Sequence, residues 1–95
     1  MAWAYVQDVD SETSAMYDKI AAEIGTDPPE GLIVHVAGDH GGGTRIIDVW
    51  ESEDAYLKFR GGTLAAAVEK VMGADAMAQG PPPIDALEVR NIVRG

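Results

Sequence analysis

Between Gly31 and Glu51 the chain reads GLIVHVAGDHGGGTRIIDVWE, and this stretch constrains the fold more than any other. Leu32 to Ala37 and Thr44 to Trp50 are rich in β-branched and aromatic residues, which suit a pleated, half-buried surface. Gly38-Asp39-His40-Gly41-Gly42-Gly43 between them supplies the positive-φ conformations that a chain reversal requires. The segment is a β-hairpin. Alternation gives it two faces. Leu32, Val34, Val36, Ile47 and Val49 form an almost purely apolar face, expected to lie under helices; Ile33, His35, Ala37, Thr44, Ile46, Asp48 and Trp50 form the other. Pairing Ala37 with Thr44 sets His35 opposite Ile46 and diagonal to Asp48, roughly 7–8 Å between backbones and within reach of long side chains. A His, a carboxylate and an indole then share one half-apolar surface.

The flanking segments supply the rest of a small domain. Ala2 to Val9 alternates as a strand, with Trp3, Tyr5 and Gln7 pointing to the face of His35 and Asp48. Asp10-Ser11 is an N-cap, with Glu12 at the positive end of a helix that ends at Gly25; Met16, Ile20 and Ile24 give it a buried stripe. Thr26-Asp27-Pro28-Pro29-Glu30 is a stiff connector into the hairpin. After the hairpin, Ser52-Glu53-Asp54 caps a second helix through Ala55, Tyr56 and Phe59, which Gly61-Gly62 should break or kink before Leu64, Val68, Val71 and Met72 continue an apolar stripe. GADAMAQGPPP, from Gly73 to Pro83, is a loop ending in a polyproline-like spacer, and Ile84 to Val93 reads as the last strand.

The order β-α-β-β-α-β is the ferredoxin-like α+β plan: a four-stranded antiparallel sheet with two helices on one face, in a single domain spanning residues 1–95. Two helices leave the other face bare. The bare face is expected to be the one bearing Trp3, Tyr5, Ile33, Ile46, Trp50 and Ile92, and an apolar patch of that size calls for a partner. A homodimer stacking these faces answers it.

Composition removes several alternatives. With 16 acidic against 7 basic residues the formal charge is −9, so nucleic acid is not an expected partner: phosphate binding needs a clustered basic patch, and here the cations are scattered. The chain has no cysteine, hence no disulfide and no thiolate zinc site, which accords with a cytoplasmic protein. Its start lacks the basic and long apolar regions of a signal peptide, and no segment approaches the about 18 apolar residues of a membrane span. Asp39-His40-Gly41-Gly42-Gly43 lacks the Lys and Ser/Thr of a phosphate loop, and His40 reads as a solvated turn residue. Two His without helical spacing make no metal site.

The arrangement, with G-L-I-V-H-V-A-G at Gly31 to Gly38 and D-V-W-E-S at Asp48 to Ser52, resembles the dimeric α/β-barrel superfamily that includes the antibiotic-biosynthesis monooxygenases. Within it the similarity is greatest to short bacterial members of undetermined function that carry the same hairpin and a proline-rich run before the last strand. The resemblance implies two sheets facing each other in a dimer, helices outside, and a pocket between sheet and helices or within the barrel. Cofactor-free monooxygenases of this fold oxidise aromatic quinols, and Trp50-Glu51-Ser52 with Ala55 match their strand-end Trp and Ala-containing helix. Where they often carry a His four residues after that Ala, this chain has Phe59, and its second helix has no His of the kind the haem-degrading relatives use.

The candidate site lies on the second face. His35 is the side chain there whose ordinary pKa is near neutrality, so it is the candidate base or donor, with Asp48 or Arg90 setting its charge and tautomer. Tyr5, Ile33, Ile46, Trp50 and Phe59 are the candidate substrate-binding residues, with no metal and no cofactor. The same His35, Asp48 and Arg90 also fit a hydrogen-bonded dimer interface, and Trp50 a packing residue. Two functions are compatible with this face: a cofactor-free oxygenase or cyclase/isomerase on a small aromatic or polyketide-like substrate, or a non-catalytic binder or stress-related dimer.

Overall fold

The structure, a computed structural model, describes residues 2–73 and 83–95. Strand β1 (Trp3–Val9) is followed by helix α1 (Ser11–Ile24), the hairpin strands β2 (Leu32–His40) and β3 (Gly43–Trp50), helices α2 (Glu53–Phe59) and α3 (Ala65–Met72), and strand β4 (Ile84–Glu88). The sheet order is β2-β3-β1-β4 with antiparallel pairing throughout, which is the ferredoxin-like plan. Of the loop read from Gly73 to Pro83, residues 74–82 lie outside the described residues. No helix among the described residues is long and apolar enough to cross a membrane.

The caps are those the sequence specifies. Asp10 is extended and its side chain accepts from the Thr13 N–H at 2.7 Å, while Gly25, at φ 89°, closes α1. Ser52 does the same for α2 through the Ala55 N–H. The glycine pair Gly61-Gly62 neither breaks nor sharply ends the second helix: residues Arg60–Leu64 form a π-helical turn, and the backbone stays right-handed helical from α2 into α3. A π turn inserts one residue and rotates the helix beyond it, a feature concentrated at functional sites.

The hairpin turns more tightly than its glycine run suggests. Only Gly41 and Gly42 make the reversal, both at positive φ, and β2 extends to His40, which pairs with Gly43. The register therefore moves: Ala37 pairs with Ile46, not Thr44, and His35 sits directly opposite Asp48. A bulge between Leu32 and Val34 absorbs Ile33, so Leu32 joins Trp50 and the faces of β2 exchange at that point.

The helices cover the opposite face from the one expected. Trp3, Tyr5, Ile46 and Trp50 are buried with Tyr56 in the core, with Tyr17, Leu32, Ala55, Phe59 and Ile84 packed around them. Trp50 is wholly inaccessible. The bare face is the aliphatic one, where Val34, Val36, Ile47 and Leu87 are 45%, 52%, 40% and 53% exposed. Large rings decide the matter: each aromatic buries about 150–250 Å², so covering Trp3, Tyr5 and Trp50 removes more apolar surface from water than covering a row of valines. β4 ends at Glu88, five residues short of the Val93 expected, so Ile92 lies past the sheet and is exposed.

Candidate functional site

One row of side chains crosses three strands on the helix-covered face. His35 on the edge strand β2 is paired with Asp48 on β3, and Asp48 with Tyr5 on β1, β3 and β1 being the two central strands. Nδ1 of His35 lies 2.5 Å from Oδ1 of Asp48, and the Tyr5 hydroxyl donates to Oδ2 at 2.7 Å, joined there by the Trp50 indole N–H at 3.3 Å. A carboxylate only accepts, so the Asp48 contact places a proton on Nδ1 and leaves Nε2 of neutral His35 with a free lone pair. Nε2 meets the Tyr17 hydroxyl from α1 at 2.6 Å, with the two rings stacked.

Each position follows from local structure. Residue alternation puts Tyr5, His35, Asp48 and Trp50 on one face of the sheet. Tyr17 belongs to the helical row Thr13, Tyr17, Ile20 and Ile24 that faces the sheet, spaced at three and four residues. Ile20 and Ile24 of the expected stripe face this space, whereas Met16 does not line it and Tyr17 takes its place. Ser14 and Thr44 share a hydrogen bond that ties α1 to β3 beside this row.

Electrostatics separate the roles of the four polar groups. Asp48 is buried, and its two oxygens meet three donors. Its hydrogen bond and charge raise the pKa of His35 above 6.5, against a smaller opposing effect of burial. Burial first, and the Asp48 charge second, push the Tyr5 phenol far above its ordinary range, so it is a permanent donor. Burial and then Asp48 also raise Tyr17, which keeps its proton at neutral pH.

A cavity of about 840 Å³ opens between the sheet and the helices. Tyr5, Gln7, Tyr17, His35, Ile46, Asp48, Trp50, Tyr56 and Phe59 line it, with Ile20, Ile24, Leu64, Val68 and Met72 completing an apolar wall. Such a space, mostly apolar with a few convergent polar groups, has the size and character of small-molecule sites.

Of the residues singled out in the sequence, His35, Asp48, Tyr5, Ile46, Trp50 and Phe59 all border this cavity. Two do not. Arg90 is exposed beyond the end of β4 and is not among the lining residues, because Glu88, paired with Trp3, is the last residue of the sheet. Ile33 is displaced by the bulge, and Leu32 lines the cavity in its place. His40 is exposed at the end of β2. Tyr17 and Tyr56 are site residues that the sequence pattern does not single out; the i, i+4 spacing of Thr13 and Tyr17 is the available signal for the first. Among the described residues no cluster of His, Cys, Asp or Glu is arranged to hold a metal.

No family model and no curated protein matches the chain. Solved structures do. The chain is similar to a provisionally assigned antibiotic biosynthesis monooxygenase from Chloroflexus aurantiacus J-10-fl, at 12% identity over 100% of this chain and 98% of that one, with a TM-score of 0.64. It is similar to another so assigned from Caulobacter crescentus CB15, at 21% identity over 95% of this chain and 89% of that one, TM-score 0.59. A protein of unknown function from Nitrosomonas europaea is also similar, at 19% identity over 99% and 92% of the two chains, TM-score 0.60. At these identities the likeness is one of fold: the chain has the ferredoxin-like fold shared by antibiotic biosynthesis monooxygenase-like proteins.

Proposed function

We propose that the chain is a cofactor-free enzyme that takes a proton from a small aromatic or polyketide-like substrate, as the first step of an oxygenation or of a cyclisation or isomerisation. The observation that carries this is the hydrogen-bonded run Tyr17–His35–Asp48 on the wall of the apolar cavity. A phenolic or enolic hydroxyl bound beside Tyr17 passes its proton to the Tyr17 oxygen as Tyr17 passes its own to Nε2 of His35. Asp48 stabilises the resulting imidazolium and fixes the ring orientation throughout. The electron-rich anion left behind then reacts with dioxygen or rearranges within the cavity.

The test is oxygen uptake and product mass with a panel of dihydroxynaphthalenes under air, using wild-type protein and His35→Ala. Turnover by the wild type, lost in the variant, is the expected result. Ligand-induced change in Trp fluorescence without turnover on any member would favour the second reading, a non-catalytic binder or stress-related protein. That reading draws on Asp48, whose bonds to Tyr5 and Trp50 also make it a structural tie within the core.

The partner in this reading is a second copy of the chain. What supports it is the exposed aliphatic face of Val34, Val36, Ile47 and Leu87, which lies on the side of the sheet away from the helices. Two such faces stacked about a two-fold axis are self-complementary in chemistry and put the helices and cavities outside.

A further inference from the structure

Opposite the His35 row, the second helix presents an oxygen and a cation to the same cavity. Tyr56 and Arg60 are four residues apart, the Arg60 N–H bonding the Tyr56 carbonyl, so their side chains lie on one helical face, and both line the cavity. Tyr56 is 3% exposed, its ring packed on Trp3, Tyr5 and Trp50. Its hydroxyl has no hydrogen-bond partner among the described residues, yet no fully enclosed side-chain polar atom among them goes unpaired. The hydroxyl therefore reaches the cavity.

Arg60, an exposed side chain, is the only Lys or Arg among the described residues that line this space, and it makes no ion pair with any of them, although Asp27 and Asp48 line the space as well. It begins the π turn, the one irregular step of the second helix. Burial raises the Tyr56 phenol, with Arg60 lowering and Asp48 raising it further, so the hydroxyl is a neutral donor standing within the fields of both charges.

We infer that Tyr56 and Arg60 bind an anionic carboxylate on the ligand, so that the substrate class is an aromatic or polyketide-like carboxylic acid rather than a neutral phenol. This rests on the reading of the cavity as a small-molecule site. A guanidinium and a phenolic O–H are both donors, and together they match the two oxygens of a carboxylate, which accepts from them more strongly than a neutral group does. The apolar wall holds the ring system, and the hydroxyl of the ligand faces Tyr17.

Calorimetric titration with 6-hydroxy-2-naphthoic acid, whose hydroxyl and carboxylate lie at opposite ends of the ring system, and with its methyl ester, which keeps size and ring but removes the charge, tests this. The acid is expected to bind about tenfold more tightly than the ester. Arg60→Gln should abolish that preference by weakening the acid about tenfold and the ester far less, Arg60→Lys should retain part of it, and Tyr56→Phe should weaken the acid more than the ester. Equal binding of acid and ester, or a preference that survives in Arg60→Gln, overturns the carboxylate assignment and leaves the small-molecule site standing. Binding of neither probe overturns both.

Discussion

His35 and Asp48 face each other as a cross-strand pair, with Nδ1 and Oδ1 2.5 Å apart. The contact is built into the register of the β2–β3 hairpin, so it is held by the backbone ladder and not by a loop. A proton-accepting Nε2 aimed at α1 results from that one pairing, because the carboxylate fixes the tautomer. The polar row is thus as rigid as the sheet, which is what a site for positioned proton transfer requires.

Asp48→Asn should cost both stability and the charge state of His35. Asn offers one carbonyl oxygen where the carboxylate serves three donors on two oxygens, so a buried donor goes unpaired, at about 1–3 kcal/mol. Urea unfolding should show that loss. The His35 titration midpoint, followed by NMR, should fall from its raised value to 6.5 or below, since the leading cause of the rise is removed.

The pH dependence has a definite sign. The His35 pKa is raised on folding above the ordinary 6.5, so its contribution to stability is fully present below 6.5 and is lost as pH climbs through the folded value. Melting temperature in the wild type should decline across that window above 6.5, and His35→Gln should lack this decline. Any turnover should run the other way: Nε2 must be unprotonated to act as base, so kcat/KM should rise with pH over the same interval.

Tyr17→Phe should separate chemistry from scaffolding. The His35 side chain is 39% exposed, so water can replace the Tyr17 hydroxyl at Nε2 and stability should change little. Removal of the relay oxygen should lower kcat by about 100-fold or more. A drop in stability with unchanged turnover would assign Tyr17 a packing role only.

Much of this architecture is legible in the residues. Asp10, Gly25 and Ser52 mark their helix ends because capping is local chemistry. The hairpin, its two faces and the association of His35, Asp48 and Trp50 come from period-two alternation. Which face the helices cover does not, because both faces are apolar and alternation carries no information on what lies above. The balance of aromatic area on Trp3, Tyr5 and Trp50 is the usable signal. The bulge at Ile33 and the two-residue turn at Gly41-Gly42 are hidden by a run of nearly equivalent apolar residues and by three consecutive glycines. Arg90 is misplaced for a related reason: Val89, Ile92 and Val93 continue an apolar pattern beyond the point where β1 offers a partner.

Gly43→Ala should damage the turn end of the hairpin, where it meets β1. A Cβ built at Gly43 would stand 2.0 Å from the carbonyl oxygen of Val9, a backbone atom that cannot swing aside. β3 and β1 would have to separate where Thr44 pairs with Val9, at a cost of about 1–3 kcal/mol. Chemical denaturation should register it, whereas Gly38→Ala, with nothing within 4 Å of its Cβ, should be far milder.

The assembly is open to a direct test, and the exchange of faces changes which residue tests it. Ile46 is buried under the helices, so an acid there would attack the core of a single chain and say nothing about association. Val36 lies on the bare aliphatic face beside Ile47, and in an isolated chain its side chain is already in water. Val36→Asp should therefore leave the fold intact. In a stacked pair the same carboxylate would be pressed against apolar surface without a counter-charge, a penalty of about several kcal/mol per copy. Interfaces of this type remove about 1,600 Å² or more from water, enough for a stable dimer at micromolar concentration. Light scattering should give twice the 10.1 kDa chain mass for the wild type and the single-chain mass for Val36→Asp, with matching circular dichroism. A folded wild-type monomer across that concentration range would sink the stacked-sheet assembly and leave the cavity, which lies on the other side of the sheet, untouched.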